Sequence, residues 1–276
     1  LIHQYGANIH ASTSQGQTPL HLACRYGSVL CVRQLLEAGA WIYVPDNQGR
    51  TPFHEAAVSG LLKIAELCQA AERHTTCSLL NWNVKCRHGT TALHNAVGHP
   101  SALQLILNKH PPLGVVDEAG WTAFHYACWI GNIKSMEMLL QHNPDYLYIP
   151  DARGRTPLHV AVFSLPQVSR FLEAGHNLAP LRQTWWDIAN HGDRLTAQER
   201  WEQAARSLPQ LPSRPQSFSA AMALHRQSQR AVTTWLLDKG ATVLLLDVHG
   251  NYPMTYATDL DILNNLLAKA IQEGLM

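Results

Sequence analysis

The chain has 276 residues, 46% of them hydrophobic and 15% charged. This composition can bury a core and lacks the charge of a disordered chain. The formal net charge is +1, which argues against nucleic-acid binding because that requires a clustered basic surface. No apolar run approaches the roughly 18–20 residues that cross a bilayer, and no signal peptide opens the chain. We therefore expect a globular cytoplasmic protein with reduced cysteines and no membrane insertion.

The first predicted element opens with a pattern that returns four more times. It begins as Gly16-Gln17-Thr18-Pro19-Leu20-His21, and its threonine recurs with steps of 33, 40, 31 and 34 residues, at Thr51, Thr91, Thr122 and Thr156. The threonine suits a helix N-cap. The proline suits the first helical position, where its missing N–H has no partner to lose. Gly39 is placed to end a second helix in a left-handed conformation.

A period near 33 residues with Thr-Pro-Leu-His opening each unit resembles the ankyrin-repeat family. The resemblance covers nearly the whole chain, strongly to about Ala174 and loosely beyond it. It implies an all-α fold: an ankyrin-repeat solenoid of stacked helix-turn-helix units with short β-hairpin or turn tips. It also implies that the motif histidines form hydrogen bonds within and between repeats.

We predict three segments along the chain. Residues 1–181 hold a truncated first repeat and about five regular repeats. Residues 182–218 form a degenerate repeat with a proline-rich connector. Residues 219–276 form two divergent repeats and a C-terminal cap, in which a last helix pair at Asp259–Ile271 presents Asn264, Asn265, Lys269 and Gln272 to water.

Two segments interrupt the repeats. The step of 40 residues requires an insertion within Glu72–Leu80, which we expect to form a surface loop. A zinc site using its His74 and Cys77 is an alternative, but the spacing matches no common zinc motif. Residues Pro209–Arg214 fit a proline-x-x-proline-x-basic pattern, although a rigid connector is the more common role of such a stretch.

We predict no catalytic site, no metal and no cofactor in this chain. A glycine-rich phosphate loop, a nucleophile elbow and a kinase signature are all missing from the sequence. Cys24 and Cys128 fall at small core positions of the repeat, where a thiol acts as a small hydrophobe.

The resemblance places a partner-binding surface on the turn tips and on the inner side of each first helix. The candidate residues are Gln17, Arg25, Tyr26, Arg50, Arg87, His88, Trp121, Trp129, Ile130, Arg153, Arg155 and Phe163. Aromatic and arginine residues are enriched among binding hot spots, so we expect these side chains to be exposed. The arginines suggest an acidic partner. The alternative is that Trp129 or Phe163 packs beneath a turn as local core.

We therefore predict a scaffold that binds a segment of another protein on its concave face and is monomeric by itself. The alternative is a substrate-recruiting or targeting module of a larger enzyme or of a secreted microbial effector, which would act in a host cytosol. A flanking domain in a longer sequence would distinguish the two. The identity of the partner does not follow from the fold.

Overall fold

A computed structural model describes residues 8–60, 64, 67, 84–108, 110–163, 218–257 and 259–274. In these ranges the regular elements are helices, without strands. They are α1 Pro19–Arg25, α2 Val29–Glu37, α3 Pro52–Ser59, α4 Ala92–Ala96, α5 Pro100–Leu107, α6 Ala123–Ile130, α7 Ile133–His142, the 3-10 turn η1 Pro144–Leu147, α8 Pro157–Phe163, α9 Phe218–Asp238, the 3-10 turn η2 Pro253–Tyr256 and α10 Leu260–Gln272. The all-α solenoid predicted from the sequence is confirmed, with turn tips in place of hairpins.

The motif threonine and proline start the first helix of a repeat as predicted. α1 and α3 begin at a proline that follows an extended threonine. The capping box is closed by a histidine at the third helical position, where glutamate or glutamine is usual. Gly39 ends the second helix with a φ of 87°, as expected for a left-handed terminus.

The helices stack in two layers. The first helices of successive repeats pack side by side in the order α1, α3, α4, α6 and α8. Second helices pack against one another outside them, as α5 does on α7 and α9 on α10. One hydrophobic core runs continuously from Leu20 to Ala270, so each repeat is stabilised by its neighbours, as in other solenoids.

In the described ranges, six turns project from the stack and are joined in a ladder. They comprise residues 13–16, 46–49, 86–89, 117–120, 151–154 and 247–250, and we number them turns 1 to 6. The backbone N–H of the second residue in each turn donates to the carbonyl of the third residue in the turn before it. These five bonds join Asn47 to Gln15 (2.9 Å), Arg87 to Gln48 (2.7 Å), Glu118 to His88 (3.2 Å), Ala152 to Ala119 (3.0 Å) and Val248 to Arg153 (2.9 Å).

Turn 6 follows turn 5 directly in this ladder, which changes the repeat count. His159 on α8 also reaches the Asn251 carbonyl (3.2 Å), and Gln229 on α9 donates to the carbonyl of Val162 (2.7 Å). Therefore α8 and α9 are the two helices of one repeat, the fifth, with residues 164–217 between them in sequence.

The two divergent repeats predicted for residues 219–276 are accordingly corrected. Residues 218–238 form one continuous helix of 21 residues, where we expected a helix-turn-helix unit, and only one further repeat follows. The helix pair expected at Asp259–Ile271 is the single helix α10, because η2 supplies the first half of that repeat. Asn264, Asn265 and Gln272 are exposed and Lys269 is half-buried.

Three sequence-based predictions lie outside the described residues: the loop at Glu72–Leu80, most of the degenerate repeat at 182–218, and the proline-rich stretch Pro209–Arg214. Within the described helices, none is both long enough and apolar enough to span a bilayer.

Candidate protein-binding surface

The first residue of a turn fixes its shape, a role that the sequence analysis missed. One carboxylate oxygen of Asp46 accepts the backbone N–H groups of Gln48 (2.8 Å) and Arg50 (2.9 Å). Asp117, Asp151 and Asp247 accept the equivalent pairs of N–H groups. The signal was present, because an aspartate stands three residues before the turn glycine in four of the six turns. In turn 3 this place is taken by Cys86, whose thiol contacts the Thr90 hydroxyl (2.8 Å).

The motif histidines connect successive repeats, as the resemblance implied. The Thr18 backbone N–H donates to Nδ1 of His21 (3.1 Å), and Nε2 of the same ring lies 3.0 Å from the Arg50 carbonyl in the next repeat. His54, His94 and His159 make the same pair of contacts. Burial lowers the pKa of His94 and of His125 to about 4, so the rings are neutral at physiological pH.

The predicted cations Arg25 and Arg50 are bound by buried carboxylates. Arg25 forms a two-bond pair with Glu55, with both distances 3.0 Å, and Glu55 also lies 3.1 Å from Arg50. Arg50 in turn donates to Asp46 (2.8 and 3.0 Å), and the amide of Gln17 lies among these groups. The side chain of Glu55 is only 2% exposed. This network joins the first two repeats, so the charges of both arginines are neutralised within the protein.

A second network holds Arg155 in the same way. Its Nε donates to the Asp151 carboxylate (2.9 Å), which also accepts the indole N–H of Trp121 (3.0 Å). Burial by itself would raise the pKa of Asp151, but the hydrogen bonds and charge of Arg155 hold it below its ordinary value. Arg155 therefore stabilises turn 5.

The prediction that Gln17, Trp121, Trp129, Ile130 and Arg155 are exposed is wrong. Each is at most 7% exposed. The ring of Trp121 meets those of Trp129 and Tyr126 edge-on, with centroids 6.0 and 5.4 Å apart. Trp129 therefore packs as part of the local core, which was the alternative given in the sequence analysis. The side chain of Phe163 lies outside the described part of the molecule.

The remaining candidates are accessible. Tyr26 is 80% exposed at the end of α1, Arg87 is exposed, and His88 and Arg153 are half-buried. His88 lies 4.0 Å from the carboxylate of Glu118. Three of these four residues lie in turns. Most of the predicted binding residues that are accessible therefore lie at the turn tips.

We call the second and third residues of each turn the turn ridge. Its members are Ser14, Gln15, Asn47, Gln48, Arg87, His88, Glu118, Ala119, Ala152, Arg153, Val248 and His249. All twelve are exposed or half-buried, and their residue types differ from turn to turn. The first residue of the turn and the motif threonine, by contrast, are buried in turns 2 to 5. The ridge can therefore contact a partner without altering the residues that build the fold.

Charge on the ridge is concentrated at its centre. Arg87 and Arg153 lie on either side of Glu118, and Lys85, just before turn 3, is exposed and donates to the Val116 carbonyl (2.8 Å). The ends of the ridge contain no lysine, arginine, aspartate or glutamate: Gln15, Asn47 and Gln48 lie at one end and Val248 with His249 at the other. The middle of the ridge is thus the most basic part.

Two observations on the described residues concern metal binding and thiol chemistry. These residues contain no group of three or more His, Cys, Asp or Glu side chains arranged to hold a metal. Burial raises the pKa of the Cys128 thiol well above its ordinary value, so Cys128 is a poor nucleophile.

Comparison with protein families gives a match to the model described as ankyrin repeats (3 copies), over residues 1–76 and 97–178. Among curated proteins, human SH3 and multiple ankyrin repeat domains protein 2 is 28% identical over 57% of the chain. Human transient receptor potential cation channel subfamily A member 1 is 33% identical over 47% of it, and dog inversin 30% over 53%. The matched stretches amount to 8%, 11% and 13% of these relatives.

Among solved structures, the ankyrin repeat domain of Bcl-3 aligns with 96% of this chain and 89% of its own length. The TM-score is 0.59 and the sequence identity 19%. This likeness supports the arrangement of the stack and, at that identity, is informative about the fold alone.

Proposed function

The chain belongs to the ankyrin-repeat family, whose repeats are generally protein–protein interaction modules, and on this premise we propose that it binds an acidic segment of a partner protein along the turn ridge. The observation that carries the proposal is the accessibility of all twelve ridge positions. Accessible side chains that vary between repeats are suited to determine which partner binds.

The centre of the ridge, turns 3 to 5, is the proposed docking site. The sequence analysis inferred an acidic partner from all the candidate arginines together. Three of them, Arg25, Arg50 and Arg155, are paired with carboxylates of the chain itself and do not support that inference. The exposed cations Lys85 and Arg87 now support that inference, with Arg153 beside them. Complementary charge would mainly increase the association rate and the discrimination between partners.

A selection from a peptide-display library on the immobilised chain tests this proposal. We expect peptides rich in aspartate and glutamate to be enriched on the wild-type chain and lost on Arg87→Glu. Arg33→Glu is the matched control, because it makes the same charge change at an exposed position on the outer helix α2. Selected peptides without acidic enrichment, or with equal binding to Arg87→Glu, would refute the acidic ridge.

A second candidate is a recruiting or targeting module within a larger enzyme or effector. It is favoured by the share of the curated relatives that the match covers, 8% to 13%, since in them the matched stretch is a small part of a longer protein. Fusing the chain to a reporter enzyme would test it: recruitment predicts that the fusion modifies ridge-binding peptides faster than the unfused enzyme. An equal rate would contradict it.

A further inference from the structure

Glu118 is an acidic side chain at the centre of the turn ridge, where the other charged side chains are basic. It occupies the second position of turn 4, and Arg87 occupies the same position of turn 3. The second positions of the other turns are uncharged: Ser14, Asn47, Ala152 and Val248. A uniformly acidic partner would place one of its carboxylates against Glu118, where the like charges repel. Glu118 therefore selects against such a partner.

The charges of Glu118 and Arg87 are both accessible to a partner. The side chain of Glu118 is 64% exposed, and the Nδ1 of His88 lies 4.0 Å from its carboxylate, which is too far for a hydrogen bond. Arg87 is exposed, and its guanidinium has neither a hydrogen bond nor an ion pair with any described residue. Exposed ionic contacts are weak, so a partner can replace the contact with His88.

The two charged side chains are one repeat apart. The backbone N–H of Glu118 donates to the carbonyl of His88 (3.2 Å), so turns 3 and 4 follow the stacking of α4 on α6 behind them. Neighbouring helices pack about 8–10 Å apart. A partner that contacts both side chains must therefore present two groups at about this separation.

An extended partner meets this separation with a spacing of three residues. A polyproline II segment rises about 3.1 Å per residue and completes a turn in three residues, so residues i and i+3 lie on one side about 9 Å apart. In a β-strand, the side chains on one face recur every two residues, about 7 Å apart, which is too short. An α-helix would match only with a spacing of seven residues, about 10 Å.

The composition of the ridge centre disfavours a helical partner. Peptide helices bind in grooves through an apolar face. In turns 3 to 5 the ridge has alanine as its only apolar residue type; its members there are Arg87, His88, Glu118, Ala119, Ala152 and Arg153. This surface offers charges to an extended segment and no apolar groove to a helix.

We propose that Glu118 binds a lysine or arginine of the partner, three residues away from the acidic residue that Arg87 binds, in a segment of polyproline II conformation. This inference rests on the proposed function, because it concerns the same ridge, and it adds the order of charges in the partner. Glu118 is then a specificity-determining residue, which favours a segment of mixed charge over one of uniform negative charge.

Peptide-display selections on the wild-type chain and on Glu118→Lys, from the same random library, test this inference. On the wild type we expect a basic residue to be enriched three residues from an aspartate or glutamate, in one order along the peptide. On Glu118→Lys the same position should favour acidic residues, with the spacing unchanged. The control Glu137→Lys makes the same charge change at an exposed position on α7 and should select like the wild type.

A peptide from the wild-type selection then gives a quantitative check. Changing its basic residue to glutamate should weaken binding to the wild type and strengthen binding to Glu118→Lys, each by on the order of fivefold, as for one exposed ion pair. Fluorescence anisotropy of the labelled peptides measures both changes, and circular dichroism confirms that each variant is folded.

The outcomes separate this inference from the proposed function. Acidic peptides that lack the basic residue, or that bind Glu118→Lys with the same preference as the wild type, would overturn the inference and leave the acidic docking site in place. A basic residue at a spacing of seven would also overturn it, since that spacing belongs to a helix. Selected peptides without any acidic enrichment on the wild type would refute the proposed function itself, and the inference with it.

Discussion

His21, His54, His94 and His159 can each join two repeats only in one protonation state. Nδ1 accepts the threonine N–H, so that nitrogen carries no proton, and Nε2–H is then free to donate to the carbonyl of the next repeat. A protonated ring would lose the first of these bonds. The residue that ties the repeats together is thus also a titratable group.

Stability should therefore fall as the pH is lowered towards 5. The unfolded chain protonates its histidines near their ordinary pKa of about 6.5, whereas the folded chain protonates His94 and His125 only near a pKa of about 4. Between these two pKa values the unfolded state binds more protons than the folded state. The contribution of each histidine to the free energy of unfolding is therefore complete above about pH 6.5 and falls as the pH is lowered. The loss reaches on the order of 3 kcal/mol per histidine at about pH 4. The urea midpoint measured from about pH 7.5 to about pH 5 checks this.

The control for this experiment is His249→Gln, which removes an exposed histidine that lies outside the repeat motif. His94→Gln should reduce the slope even though it lowers stability at every pH. Carboxylates whose pKa is lowered by folding, such as Asp247 with a pKa of about 2, lose their contribution to stability mainly below about pH 5, under the range measured, because unfolded carboxyl groups titrate at about 4. A flat midpoint over the same range would contradict the assignment.

Glu55 is the residue on which the ion-pair network of the first two repeats depends. Glu55→Gln keeps the volume but removes the charge that pairs with Arg25 and Arg50, and we expect it to reduce the free energy of unfolding by about 2 kcal/mol. The loss is smaller than for a fully buried pair because Arg25 is 25% exposed and can be solvated by water. Urea denaturation measures it. Glu37→Gln, at an exposed position, should change the free energy by less than about 0.5 kcal/mol; equal losses would contradict a special role for Glu55.

The sequence alone reveals the repeat motif, but it does not reveal the ion pair between Arg25 and Glu55. The threonine, the proline and the Nδ1 contact of the histidine involve neighbours three or fewer residues away, so a local pattern contains these roles. The Nε2 contact of the histidine reaches the next repeat and is not part of that local pattern. Arg25 and Glu55 are 30 residues apart in the chain, and the position of Glu55 is occupied by other residue types in the other repeats. For that reason Arg25 looked available to a partner.

At the scale of the element, the turn ladder depends on close approach of one backbone to the next. Gly120 and Gly250 have the same φ of 76°, which favours glycine in both places. They differ in their surroundings: a Cβ on Gly120 would lie 2.4 Å from the Ala152 nitrogen, and one on Gly250 would meet nothing within 4 Å.

Alanine substitutions at Gly120 and Gly250 separate the cost of the left-handed backbone from the cost of disturbing the contact between neighbouring turns. Both Gly120→Ala and Gly250→Ala should lose about 1 kcal/mol of stability through the left-handed backbone. Gly120→Ala should lose at least about 2 kcal/mol more, because turn 5 must move away from turn 4. Urea unfolding at low protein concentration measures both, and equal losses would show that the turns do not depend on this contact.

The helices of the regular repeats were predictable because their start and stop signals are local. Prediction failed at α9 and α10 for a different reason. The small residues at Ser219–Met222 look like the opening of a repeat, yet the helix continues to Asp238, and which repeat it completes is decided by its contact with Val162. The exposure of Trp129 was mispredicted in the same way, since its burial depends on the tertiary surroundings of a helix whose own sequence allows either outcome.

For the whole molecule, the sequence spacing of the motif does not give the order in which the turns stack. A period near 33 predicts further repeats between Gly154 and Gly250, but turn 6 bonds directly to turn 5. Removing the sequence between the two helices of the fifth repeat should therefore leave the stack intact. The first repeat shows how short the connection can be: Arg25-Tyr26-Gly27-Ser28 leads from α1 into α2, with Gly27 at a φ of 72°.

A deletion of residues 164–226 combined with Ser228→Gly would reproduce this connection, because Phe163 would then be followed by Gln227, the introduced glycine and Gln229. We expect the shortened chain to be helical and to unfold cooperatively in urea, since Gln229 already lies 2.7 Å from the Val162 carbonyl and the buried Val232 and Leu236 of α9 are retained. The control is a deletion of 164–238, which also removes α9 and with it the buried Val232 and Leu236; that chain should lose the structure of the sixth repeat. If the shorter deletion were as damaging as the longer one, residues 164–226 would be required by the stack, and α8 and α9 could not be the two halves of a single repeat.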